Sequence, residues 1–183
     1  MPNTEDIGRQ ASVEGFANEH IAAGLLMKKY LNVSLVDLPL SPYDIIIARK
    51  LDNGNEDIIR AQVKTARTSV SFTGGTRGGV DREYKSDVKT YTQSPETSDV
   101  VIGLKPLDNG AFDMYFIPTV LIAIWGTKSK GLGTIGPLKN NYYILENCKN
   151  KNLILNKCKE YVIIWLQGFL LPPQLCYLLC PLK

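Results

Sequence analysis

The sequence predicts an α/β fold with the core order αβββαβ, and three observations carry that prediction. A helical apolar period runs through residues 12–30, two apolar runs each meet an Asp-Asn-Gly turn, and further strand-like and helical runs follow. The full predicted order is helix, three strands, helix, two strands, helix.

The first helix covers residues 12–30. Ser12 is a candidate cap, and Val13, Phe16, Ala17, Ile21, Leu25 and Leu26 recur at helical intervals. Three strands are expected at Leu31–Leu38, Tyr43–Lys50 and Ile58–Ala66, the last two joined as a hairpin by Asp52-Asn53-Gly54. Residues 67–81, rich in Ser, Thr and Gly, predict a loop, with a short helix from Arg82 to Tyr91. Asp99–Leu104 and Phe112–Ile117 read as strands around a second turn, Asp108-Asn109-Gly110. Pro118–Trp125 predicts a helix, since proline suits a first helical position. Residues 127–141, rich in Gly and Lys, predict loop, and Tyr142 onwards fits either a strand or a helix. The expected division is a core over residues 1–126 and a C-terminal extension over 127–183, packed on the core or on a partner.

With 183 residues, 44% hydrophobic and 21% charged, the chain has the composition of an ordinary globular domain, which argues against disorder. A net charge of +3 permits a polyanionic partner without demanding one. The basic residues cluster at 60–89, where Arg60, Lys64, Arg67, Arg77, Arg82, Lys85 and Lys89 face only Asp81, Glu83 and Asp87. The N-terminus lacks the basic start and apolar stretch of a secretory signal. All four cysteines, Cys148, Cys158, Cys176 and Cys180, fall late in the chain, which predicts reduced thiols and a cytoplasmic protein, with zinc binding as the alternative. Residues 161–182 carry no charge but are broken by Pro172-Pro173 and include Gln167 and Gln174. A segment buried on the core or a partner is preferred there to a membrane anchor or a degraded end.

The chemistry is concentrated on the first hairpin. Asp44 begins one strand and Gln62-Val63-Lys64 lies on the next, so pairing brings Asp44 close to Gln62 and Lys64. Side chains alternate along a strand, which sets Gln62 and Lys64 on one face and Val63 on the other. Two ligating oxygens and an ammonium then converge, a combination suited to phosphodiester hydrolysis. The competing reading is a cross-strand ion pair on a half-buried sheet.

From about Gly15 to Pro118 the chain resembles the PD-(D/E)XK nuclease superfamily, the restriction-endonuclease-like fold. The resemblance is carried by Gly15-Phe16-Ala17-Asn18-Glu19, by Pro42-Tyr43-Asp44, by Gln62-Val63-Lys64 with the basic loop after it, and by Ser98-Asp99-Val100-Val101-Ile102-Gly103. It implies a central mixed sheet flanked by helices, with Glu19, Asp44, Gln62 and Lys64 catalytic. It also implies Mg²⁺, with Mn²⁺ as a substitute, held by Glu19, Asp44, the Gln62 side-chain oxygen and the Val63 carbonyl, while Lys64 assists the attacking water. Two positions depart from the family pattern. Tyr43 intervenes between Pro42 and Asp44, and Gln62 stands where an acid is usual, so its amide coordinates without neutralising the ion. Of the two helix acids, Glu19 is preferred because it groups with Ala22, Ala23 and Leu26, whereas Glu14 groups with Asn18.

Arg67, Ser69, Thr73, Arg77, Arg82, Lys85 and Lys89 are the candidate DNA contacts, against the reading of a flexible loop and a solvated helix face. Tyr84 and Tyr91 fit a core better than a base-stacking platform. Gly131-Leu132-Gly133-Thr134-Ile135-Gly136 matches G-x-G-x-x-G but follows no apolar strand and meets Pro137, which argues against a dinucleotide site, and His20 is read as structural. The expected function is a Mg²⁺-dependent endonuclease on double-stranded DNA, a type II restriction or other DNA-defence enzyme, dimeric and without a small-molecule cofactor. The alternatives are a homing-type or junction-resolving nuclease and a catalytically weakened DNA-binding or assembly module.

Overall fold

The computed structural model describes residues 4–38, 41–75 and 90–158. Helix α1 (Thr4–Met27) precedes three strands, β1 (Asn32–Leu35), β2 (Ile45–Lys50) and β3 (Glu56–Thr65). Short strands β4 (Ser69–Ser71), β5 (Thr73–Gly74) and β6 (Tyr91–Thr92) follow, then the long β7 (Val100–Pro106) and β8 (Phe112–Pro118). Helix α2 (Thr119–Trp125), strand β9 (Ser129–Gly131), a 3-10 turn (Gly136–Leu138), α3 (Tyr142–Glu146) and α4 (Lys151–Lys157) complete the described chain.

The central sheet has the order β1-β2-β3-β7-β8; β3 and β7 run parallel and the other neighbours antiparallel. This is the mixed α/β arrangement expected from the sequence. Both Asp-Asn-Gly turns form as predicted, with Gly54 at φ 82° and Gly110 at φ 78°, the region that favours glycine. In each, the asparagine side chain accepts the backbone N–H two residues on, Asn53 from Asn55 and Asn109 from Ala111, both at 3.0 Å.

Strand alternation sorts the core into two layers. Ile45 and Ile47, Ile59, Ala61 and Val63, and Val100, Ile102 and Leu104 pack with Ala22, Ala23 and Leu26 of α1. Val101, Tyr115 and Ile117 face the other way, against Val70, Phe72, Leu121, Ile122 and Trp125. Each such isoleucine, fully buried, contributes about 1.5–3 kcal/mol. Residues beyond 126 complete both layers, with Leu145 and Cys148 in the first and Leu132, Ile135, Leu138, Ile144 and Ile154 in the second.

Several expectations need correction. Helix α1 starts at Thr4, and Ser12 lies inside it. Arg9, Gln10 and Ala11 are good helix formers and Glu5 and Asp6 suit a first turn, so the helix extends N-terminally beyond the apolar period. Val13 and Phe16, assigned to the apolar face, are 63% and 64% exposed; the buried positions are Asn18, Ala22, Ala23 and Leu26. The segment 67–81 is not all loop, because β4 pairs with β9 and β5 pairs with β6. Tyr91 is therefore in a strand and not at a helix end, while residues 82–89 of that expected helix lie outside the described residues. Pro118 ends β8 and caps α2 instead of starting it. The expected loop 127–141 contains β9 and the 3-10 turn, and the chain after Tyr142 is helical, with Asn141 and Asn150 accepting the backbone N–H of Ile144 and Leu153. The uncharged tail lies outside the described residues. Among those described, no helix is long and apolar enough to cross a membrane, and Cys148 and Cys158 are free thiols.

Candidate active site

The register of the first hairpin sets Ile45 opposite Ala61, so Asp44 reaches the strand end beside Gln62. The Asp44 backbone N–H donates to the Ala61 carbonyl at 2.9 Å, and its own carbonyl accepts from Val36 at 2.8 Å. Asp44 is thus fixed by β3 on one side and by the end of β1 on the other. Its carboxylate Oδ2 accepts the Val63 backbone N–H at 2.8 Å and the Gln62 side-chain Nε2 at 2.5 Å.

Glu19 comes from α1, which is pinned next door: buried Asn18 donates from Nδ2 to Thr65 Oγ1 at 2.8 Å. That bond sets the helix against the C-terminal end of β3, where Lys64 projects on the same face as Gln62. Asp44 and Lys64 both lie within electrostatic reach of Glu19. Burial, then the Asp44 charge, pushes the Glu19 carboxyl up to about 7, with His20 and Lys64 opposing. Burial also raises Asp44, against the Val63 hydrogen bond and the Lys64 charge. Burial lowers the Lys64 ammonium, against the pull of Asp44 and Glu19.

Two carboxyl groups and one amine therefore share a desolvated site in which each acid resists ionisation. A hard divalent cation fits that donor set, since its charge offsets what burial and the second acid impose. The Val63 carbonyl is an available further oxygen. Among the described residues no group of three or more His, Cys, Asp and Glu side chains gathers as a metal site.

The placement of Gln62 differs from the sequence expectation. It reaches Asp44, but with its amide nitrogen; its Oε1 accepts from Gln93 Nε2 at 3.2 Å. Sequence reasoning missed Gln93 altogether, because a single Gln in the polar run Thr92-Gln93-Ser94 has no local pattern to mark it. Tyr91, read as core, also borders the site, where burial and the Asp44 charge push its phenol up. A side chain at position 74 would place its Cβ 2.7 Å from Tyr91 Cζ, so only glycine lets that ring lie against β5.

The proposed DNA contacts divide. Arg67 is 75% exposed but pairs with Glu14 at 2.8 Å, Ser69 is exposed on β4, and Thr73 Oγ1 lies 2.9 Å from Ser71 Oγ. Arg67 and Ser69 line a hollow at the end of β3 with Thr65 and Glu14, and Thr73 lies further on, in β5. Arg77, Arg82, Lys85 and Lys89 lie outside the described residues. His20, which the sequence leaves outside the site, has its Nδ1 2.9 Å from the Phe16 carbonyl and its charge acts on Glu19.

A solved structure of a bacterial homing endonuclease, I-Ssp6803I, is similar to this chain at 15% identity and a TM-score of 0.39, covering 70% of this chain and 74% of that one. No protein-family model matches the chain, and no curated protein does. The functional reading rests on the site itself.

Proposed function

We propose that the protein is a metal-dependent endonuclease hydrolysing DNA phosphodiester bonds, on a restriction-endonuclease-like fold with a glutamine at the position of the second motif acid. One observation carries the reading: Glu19, Asp44 and Lys64 come from three elements, the Val63 N–H holds Asp44 at 2.8 Å, and the charges of Asp44 and Lys64 both act on Glu19 in a desolvated site. A structural ion pair across two strands needs one acid and one base. Here a second acid, Glu19, is delivered by a helix and pushed up to about 7, which supports a site that handles charge.

Glu19, Asp44 and the Val63 carbonyl would hold Mg²⁺ or Mn²⁺. Bound there, the ion supplies positive charge to the scissile phosphate and an acidified water. Lys64 sets its ammonium beside that phosphate, where it orients the attacking water and stabilises the negative charge growing on the phosphate oxygens. Burial strips water from this ammonium, which strengthens its interaction with that charge. Arg67 exchanges Glu14 for a backbone phosphate, and Ser69 and Thr73 add hydroxyl contacts; Arg77, Arg82, Lys85 and Lys89 take the same role by sequence. A type II restriction or other DNA-defence role, with a homodimer cutting both strands, is the specific form of the proposal. The hydroxyls exposed after β3 support it as a surface for reading DNA.

Plasmid nicking with Mg²⁺ or Mn²⁺ tests the reading on wild type, Lys64→Ala and Asp44→Ala. The expected result is cutting by wild type and a loss of about 10³-fold or more in each variant. Cutting retained by both variants removes this site, and DNA binding without cutting by wild type favours a non-catalytic DNA-binding module.

A further inference from the structure

Either end of the Gln62 amide could face Asp44, and a buried relay decides which one does. Gln93 is almost fully buried. Its Oε1 lies 2.6 Å from Thr97 Oγ1, whose hydroxyl also reaches the Ser94 carbonyl at 2.9 Å, and 2.8 Å from Ser98 Oγ. The Pro42 carbonyl, which can only accept, lies 3.0 Å from the other end and fixes it as Nε2, which then also donates to Gln62 Oε1 at 3.2 Å. Gln62, its oxygen occupied, turns Nε2 to Asp44 Oδ2 and, at 3.3 Å, to the Val63 carbonyl. Reversing the Gln62 amide alone would set oxygen against the Asp44 carboxylate and nitrogen against the Gln93 nitrogen. The source of the relay is itself anchored: Thr119 Oγ1 donates to the Ser98 carbonyl at 2.7 Å, and neighbouring Asp99 takes Arg60 in a two-point ion pair, 2.9 Å to Nη2 and 3.2 Å to Nε.

We propose that Gln93 is a positioning residue of the candidate site: by occupying Gln62 Oε1 it makes Gln62 a hydrogen-bond donor to Asp44 instead of an oxygen ligand for a cation. Asp44 Oδ2 then carries two N–H donors, and a cation at this carboxylate meets Oδ1. Gln62 on this account replaces the family acid in position but not in role, holding the metal-binding aspartate in place. The relay stands on these side chains alone; only its consequence for a cation rests on the nuclease reading.

The side-chain amide signals of ¹⁵N-labelled full-length protein, free of metal, read the relay directly, with the Gln62 pair assigned by its loss in Gln62→Leu. The expected result is a Gln62 signal that shifts in Asp44→Asn and in Gln93→Leu. Gln93→Glu keeps the shape of the side chain but sets an oxygen against Gln62 Oε1, and is expected to give the same shift should Gln93→Leu fail to fold. A Gln62 signal unmoved by Asp44→Asn, or unmoved in a folded Gln93 variant, overturns the proposal. Calorimetry with Mn²⁺ reads the consequence: Gln93→Leu changes affinity about tenfold or more, and in a Gln62→Leu background changes it no further. Additive effects of the two replacements overturn the positioning role. Wild type that shows the Gln62 shift but binds no Mn²⁺ upholds the relay and removes the cation reading.

Discussion

Val63 donates its backbone N–H to Asp44 Oδ2 at 2.8 Å, so the strand that carries Lys64 also holds the carboxylate opposite it. Acid and amine are thereby referenced to one rigid element, and Asn18 ties the helix bearing Glu19 to Thr65 at the end of that same strand. A site built on strand and helix backbone keeps its geometry better than one carried by loops.

Asp57 should make the fold acid-sensitive. Burial alone would raise its carboxyl, but hydrogen bonds and charge from Lys149 and Arg49 hold it below the ordinary aspartate value. Arg49 Nη2 lies 2.6 Å from Asp57 Oδ2 and 2.7 Å from the Glu146 carbonyl, which fastens the first hairpin to α3. A depressed folded-state pKa stabilises above the unfolded value, and that contribution is lost as pH falls through the folded one. Thermal melts should place Asp57→Asn below wild type at pH 7, with the gap closing below about pH 4. A gap unchanged down to pH 2 contradicts this.

Phe72→Ala should cost about 3–5 kcal/mol in a denaturant melt. The ring is fully buried and stacked on Trp125 at a centroid distance of 6.0 Å and an interplanar angle of 26°. Its backbone also joins the short strands, donating to the Lys128 carbonyl and accepting from Gln93. A loss below about 1 kcal/mol, the usual size of a surface change, would show that the second core layer does not close here.

Cys148 should resist thiol reagents in the folded protein. Burial, with Asp99 second, pushes its thiol up to about 12, so little thiolate exists near neutral pH. Mass spectrometry after native alkylation at pH 8 should find Cys148 unmodified, and labelled only after denaturation. Rapid native labelling would contradict its burial.

The sequence disclosed what is encoded locally. Asp52-Asn53-Gly54 and Asp108-Asn109-Gly110 specify tight turns by themselves, and the turn then sets Asp44 against Gln62. Ala22, Ala23 and Leu26 mark the side of α1 that packs, but Val13 and Phe16 fit the same helical period and are exposed, because a period locates a stripe without fixing its edges. Strands β4 and β9 are three residues each and meet across the second core layer, so their pairing has no local signature. Gln93 was illegible for the same reason: its partners Pro42, Gln62 and Ser98 come together only in the fold.

Calorimetric titration with Mn²⁺ of wild type against the Glu19→Gln, Asp44→Asn double variant tests most directly whether the paired carboxylates are a cation site. The account predicts saturable binding by wild type, with a rise in melting temperature on adding the ion, and loss of both in the folded double variant. Equal binding by the two proteins, or none by wild type, would contradict it.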